Sequence, residues 1–137
     1  MRKLAILPIV IVFIFLAAKA AAQDDFKPGY FDKILKKGAL VGVKSTAKYG
    51  KGKIPVEYDS LKASLFHVFA YKKAKVDVYE KNSSFQLYLS SVSPQDIPMI
   101  ISFSNLSYER GATLVYENGL WGWVTKNKKY KVAAQYD

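Results

Sequence analysis

The residues able to do chemistry are few. The chain holds one histidine, His67, and no cysteine. Thiolate nucleophiles, disulfides, Cys-based zinc sites and multi-histidine metal sites are therefore excluded. A hydrolytic triad needs a nucleophile, a base and an orienting group. His67, with serines and Asp59 or Asp77 nearby in sequence, is the one starting point, and no G-x-S-x-G elbow surrounds any serine. A strand residue exposing an imidazole edge accounts for His67 equally well. Paired carboxylates can run glycoside hydrolysis, so a small carboxylate-dependent hydrolase stands as one alternative. Yet Asp32, Asp59 and Asp137 recur at similar turn-like segments. Aspartate there commonly accepts a hydrogen bond from a backbone N–H two residues on, which explains them without catalysis. Lys51-Gly52-Lys53 lacks the spacing of a phosphate loop. No catalytic residue, metal site or cofactor is assigned.

Cations and aromatic rings offer more. There are 21 Lys and Arg against 11 Asp and Glu, a net charge of +10. Lys33, Lys36, Lys37, Lys44, Lys48, Lys51 and Lys53 crowd the first third, Lys72, Lys73 and Lys75 the centre, and Lys126, Lys128, Lys129 and Lys131 the end. Lysine protects strand edges from pairing with other chains, and solubility alone would use it. The functional alternative is a basic module docking on anionic envelope glycans or lipids, with Lys126, Lys128, Lys129 and Lys131 as candidate anion-binding residues. Tyr116, Trp121 and Trp123 are a candidate ligand platform if their face stays open. Packing against a neighbouring unit is the competing use of the same rings.

The elements that must position these residues follow a leader. Arg2 and Lys3 precede an apolar run from Leu4 to Ala18, and Ala20, Ala21 and Ala22 follow. This is the layout of a secretory signal peptide, with residues 1–22 removed and Gln23 as the new N-terminus. The run has 15 residues, short of the roughly 20 that span a bilayer. The expected location is the periplasm or the medium, which makes nucleic acid an unexpected partner. The leader carries three of the basic residues and no acid, so residues 23–137 keep 18 bases against 11 acids, a net of +7.

Residues 23–137 read as one domain of short strands. At an offset of 45, the stretch 69–82 lies over 114–127 without a gap: Tyr71 matches Tyr116, and Lys81-Asn82 matches Lys126-Asn127. The offset also carries Tyr58-Asp59-Ser60-Leu61 onto Phe103-Ser104-Asn105-Leu106, with a third version at Phe31-Asp32-Lys33-Ile34 and a fourth beginning at Tyr136-Asp137. Ile54-Pro55 and Ile97-Pro98 precede two of them. Three units at roughly 31–57, 58–102 and 103–137 result. Asn118-Gly119 is a favoured two-residue hairpin turn. It predicts that Tyr116 faces Trp121, Val115 faces Gly122 and Leu114 faces Trp123. Gly122 leaves room for a neighbouring ring. Lys73-Ala74 marks a second hairpin, with Phe66, Val68 and Ala70 on one face and His67, Phe69 and Tyr71 on the other. A helix competes over 61–69 through the four-residue spacing of Leu61, Leu65 and Phe69. The β-branched and aromatic content past His67 favours strand. Phe85, Leu87 and Leu89 alternate as an extra strand, bounded by loops at Ser83-Ser84 and 93–96.

Leu120-Trp121-Gly122-Trp123-Val124, ahead of Tyr136-Asp137, resembles the WG (Trp-Gly) β-repeat family. The next best match is Lys53-Ile54-Pro55-Val56-Glu57-Tyr58-Asp59. Val41-Gly42 and Val76-Asp77 stand where Trp-Gly belongs in the other units, Ser104 replaces the turn aspartate, and 83–96 is inserted. The resemblance implies an all-β array of hairpins with a binding or scaffolding role. It implies structural turns at Asp32, Asp59, Asn118 and Gly119, and a structural glycine at Gly122. The array breaks off after a Tyr-Asp turn, as a cap or as a piece of a longer array. The resulting expectation is an exported, non-catalytic binding or structural module. A protein or an envelope polymer is its expected partner.

Overall fold

A computed structural model of the chain describes residues 23–107, 111–125 and 131–136. The leader at 1–22 and Lys126, Lys128, Lys129 and Asp137 lie outside the described residues. Among those described, eleven strands and one α-helix form three antiparallel sheets. β2 (Asp32–Lys37), β3 (Leu40–Ser45) and β4 (Lys53–Tyr58) make the first sheet. The second has the order β1 (Asp24–Asp25), β5 (Ser60–Ala63), β6 (His67–Lys72), β7 (Lys75–Glu80) and β8 (Leu87–Val92). A 3-10 turn (Pro94–Asp96) leads into α1 (Ile97–Ser107). The third sheet is β9 (Ala112–Glu117), β10 (Leu120–Thr125) and β11 (Lys131–Tyr136).

The hairpins follow from their turn residues. Asn118 and Gly119 take φ of 53° and 77°, the left-handed pair that a type I′ turn needs. The register then places Tyr116 opposite Trp121, Val115 opposite Gly122 and Leu114 opposite Trp123, as the sequence predicts. Lys73, at φ 56°, begins the β6–β7 turn and sets Lys72 opposite Lys75. Gly38, at φ 63°, does the same for β2 and β3.

β6 and β7 are apolar on both faces. Val68, Ala70 and Tyr79 pack with Val43, Ile54 and Tyr58 of the first sheet. Phe69, Val76 and Val78 pack with Ile97, Ile100 and Ile101 of α1 and with Leu114 and Trp121 of the third sheet. Two cores therefore lie either side of one hairpin, and the predicted division of β6 side chains between its faces holds.

The helix was not foreseen. The repeat alignment sets Ile97-Pro98 ahead of a turn-like segment at Phe103-Ser104-Asn105-Leu106. Both lie in α1, and the unit boundary drawn at 102/103 falls within it. Ile97, Ile100 and Ile101 supply the one-sided apolar spacing of a helix packed on a core. Pro94 opens the preceding 3-10 turn, and Pro98 lies in the helix's first turn, where no intrahelical N–H is needed. The extra strand does form, but from Leu87, with Phe85 held in the preceding loop at φ 42°. The aspartates also act differently. Asp32 Oδ2 accepts from the N–H of Gly29, three residues earlier, and Asp59 Oδ2 from the N–H of Lys73 across the sheet, each at 2.8 Å.

One irregularity recurs. Val41 pairs with Tyr58 and Val43 with Ile54, so three residues of β4 oppose Gly42 alone. Trp121 pairs with Tyr136 and Trp123 with Val132, so three residues of β11 oppose Gly122. Between β7 and β8 the register slips in two separate steps, beginning opposite Asp77. At Gly42 the excess chain folds inward: a Cβ there would lie 2.5 Å from the Ile54 carbonyl oxygen and 2.7 Å from that of Pro55. At Gly42 the space thus belongs to backbone. In the middle sheet a carboxylate fills the corresponding gap. Asp77 accepts from the Tyr58 hydroxyl at 2.7 Å, the Ser91 N–H at 2.8 Å and the Ser90 hydroxyl at 3.3 Å. Gly42→Ala is expected to lose about 1–3 kcal/mol of stability through this overlap. Urea denaturation of the variant beside the parent chain measures it.

Candidate functional site

The indole pair is not an open platform. Trp121 is 8% exposed and belongs to the core beneath α1. Tyr116 lies against it with ring centroids 4.5 Å apart and an angle of 32°. Trp123 is half-buried. The packing that competed for these rings takes Trp121 and most of Tyr116, because a lone hairpin has no other means of covering its apolar face.

His67 sits in a cleft of about 450 Å³ between the β6–β7 edge, α1 and the start of β9. It is buried, not an exposed strand edge. Its ring stacks on Tyr88 at 4.7 Å and 19°, and Nδ1 lies 3.4 Å from the Ser104 hydroxyl of α1. Tyr88 is itself anchored, its hydroxyl accepting from the Leu114 N–H at 2.7 Å. Burial alone lowers His67 to about 4, so the imidazole is neutral near pH 7. Glu80 and Lys81 also line the cleft. A serine therefore does approach the histidine, but at the outer limit of hydrogen bonding, and with the imidazole sandwiched among rings. Asp59 and Asp77, the sequence-level partners for His67, are engaged elsewhere: Asp59 with Lys73, Asp77 with Tyr58 and β8.

The outer face of the first sheet has a different character. Ile34, Val43 and Ile54 point inward to the core. Strand alternation sends Lys33, Lys44 and Lys53 outward, and all three are exposed. Lys33 pairs directly with Lys44, and Lys44 directly with Lys53. Three ammonium-bearing side chains thus stand in one line across three adjacent strands, with strand spacings of about 4.8 Å. Among the described residues the ion pairs are Lys62–Asp25 and Lys72–Glu57, and neither touches this row. The equivalent register positions of the third sheet are Thr113, Val124 and Lys131. The fold itself therefore does not require three lysines there.

Exposed rings flank the same end of this sheet. Tyr30 (94% exposed) and Phe31 (53%) stand edge to face immediately before β2. The Phe31 carbonyl accepts from both the N–H and the hydroxyl of Thr46, just past β3. Tyr49 (79%) lies in the β3–β4 loop, with the Lys48 ammonium 5.5 Å from its ring centre. Gly52 pins that loop. Its N–H donates to the Ser83 carbonyl at 2.7 Å, and a Cβ there would overlap the backbone of Ser84. The glycine- and lysine-rich stretch 50–53 is thus clamped to the middle sheet's loop. Sequence reasoning grouped these lysines without aligning them. The Gly38-Ala39 turn was the available signal, since it sets 33 opposite 44. The Lys44–Lys53 pairing was hidden by the register shift. Of the predicted anion-binding lysines, Lys131 is described only as a backbone position on β11.

Neither a family model, a curated protein nor a solved structure matches the chain.

Two outcomes follow from these environments. The folded chain holds His67 near 4 against an ordinary value of 6.5. The unfolded chain therefore binds more protons between those values, and His67 removes stability as the pH falls through that window. The loss approaches roughly 3 kcal/mol below pH 4. In a His67→Gln variant, the slope of melting temperature against pH between 4 and 6.5 should flatten. Lys44 opposes a like charge on both sides, which is unfavourable in a sheet. Lys44→Gln should gain about 0.2–1 kcal/mol at low salt, and screening should shrink that gain at high salt. Denaturant titrations at the two ionic strengths read the difference.

Proposed function

We propose that the protein is an exported, non-catalytic binding module assembled from degenerate units of the WG β-repeat type. The recurring register shift carries this reading. In the first and third sheets three residues oppose one glycine, Gly42 or Gly122, and a tyrosine, Tyr58 or Tyr136, closes the excursion by pairing with the residue before that glycine. Two separate stretches of chain sharing so specific a defect support a common unit, since bulges are positioned features of a sheet and not accidents. The middle unit departs by using Asp77 for glycine, by slipping in two steps against β8, and by carrying α1 after β8.

Binding suits the surfaces better than turnover does. His67 is buried with its ring stacked on Tyr88 and Phe69 tilted nearby, which favours a packing role over proton transfer. The outward lysines of the first sheet take part in no ion pair among the described residues. Export rests on the leader's layout of Arg2-Lys3, apolar run and alanine cluster.

N-terminal sequencing of the chain recovered from the producing cell tests the export. A product beginning at Gln23 in the periplasm or medium is expected, and a chain retaining Met1 in the cytoplasm overturns the reading.

A further inference from the structure

We infer that the outer face of the first sheet is a binding site for a linear acidic polysaccharide. The polymer runs across the strands along Lys33, Lys44 and Lys53, with its sugar rings against Tyr30, Phe31 and Tyr49. This inference rests on the reading of the protein as an exported binding module.

Three observations converge on it. The first is a line of charge that no ion pair among the described residues touches. Directly opposed like charges destabilise a sheet, and here two such oppositions share one lysine. The same positions in the third sheet hold Thr113 and Val124 ahead of Lys131, so the lysines answer to something other than the strand framework. The second is geometry. Charges held on successive strands repeat at about 4.8 Å in a straight line. A polymer with one carboxylate on each sugar presents charge on the same scale and in the same dimension. The third is the rings. Tyr30, Phe31 and Tyr49 are among the largest exposed apolar groups of the described residues, and they flank the charged end of this sheet. Aromatic faces stack on the C–H faces of sugars, whereas a bare ion gives such rings nothing to cover.

An anionic bilayer would also draw lysine, but it responds to the number of charges near its surface and not to their register. A row fixed by strand pairing, with its rings beside it, fits a chain-like ligand better. The β3–β4 loop is prepared for this. Gly52, next to Lys51 and Lys53, is tied to the Ser83 carbonyl and through its own carbonyl to the Ser45 N–H, and a fixed loop end lowers the ordering cost of binding.

Binding of the full chain to linear polygalacturonate, measured by titration calorimetry over a range of salt, tests the inference. A triple Lys33→Gln, Lys44→Gln, Lys53→Gln variant should bind weaker by roughly fivefold per lysine, the effect of one lysine near an anionic surface. The matching triple to arginine should keep binding. A control triple at Lys36, Lys73 and Lys75, all exposed, makes the same change in net charge and should bind nearly as well as the parent. Tyr49→Ala should weaken binding with the charge unchanged. Equal losses in the row and control variants, no binding to polygalacturonate, or binding confined to phosphatidylglycerol vesicles would each overturn the inference. A chain exported and processed at Gln23 that ignores polygalacturonate overturns this inference alone. A chain kept in the cytoplasm with its leader overturns the reading beneath it.

Discussion

The β6–β7 hairpin is apolar on both faces, and that constraint organises the described molecule. Phe69, Val76 and Val78 on one side and Val68, Ala70 and Tyr79 on the other are all nearly removed from solvent. A two-stranded ribbon cannot stand in water with both faces apolar. It needs a cover on each side, and the chain supplies them from opposite directions in sequence. Residues before it form the first sheet, and residues after it form α1 and the third sheet. The hydrophobic stabilisation is accordingly long-range, although each hairpin is local.

The register shifts reconcile flat hairpins with this layered packing. Three residues opposite one force the outgoing strand to bend and twist. Where Gly42 stands, the bent strand's carbonyls fill the space that a side chain would take. Where Asp77 stands, its carboxylate satisfies the Ser91 N–H that the bend frees, and reaches Tyr58 of the neighbouring sheet. Burial, with hydrogen bonds to Tyr79 and Asp77, holds the Tyr58 phenol far above the usual tyrosine range, so it stays protonated and available to donate. One geometric need is met by the absence of a side chain in one place and by a polar side chain in the other. The Asp77 solution also ties two sheets together, which glycine cannot do.

The same layering separates the chemistry into two environments. His67, Tyr88 and Ser104 meet where β6, β8 and α1 converge, and burial strips the imidazole of its charge. Among the described residues, the first sheet is covered on its inner face. Its outer face keeps Lys33, Lys44 and Lys53 exposed to water. The interior thus favours packing over reactivity, and the exposed row of lysines lies on an outer layer of the stack.

Local residue patterns sufficed for the hairpins. Asn118-Gly119 and Lys73-Ala74 set their pairings, and alternation assigned the faces of β6, because turn conformation and a two-residue period are properties of neighbouring residues. The helix escaped notice because Ile97-Pro98 and Phe103-Ser104 mimic the flanks of a strand unit in composition. Only the isoleucine spacing distinguishes them, and it matters once there is a core to face. The roles of Gly42, Asp77 and Gly52 depend on backbone brought from elsewhere in the chain, and Trp121 became core through packing with the middle sheet and α1. The lysine row lies between these cases. Lys33 opposite Lys44 follows from a turn, whereas Lys44 opposite Lys53 requires a register shift across a long loop, which tertiary packing alone decides.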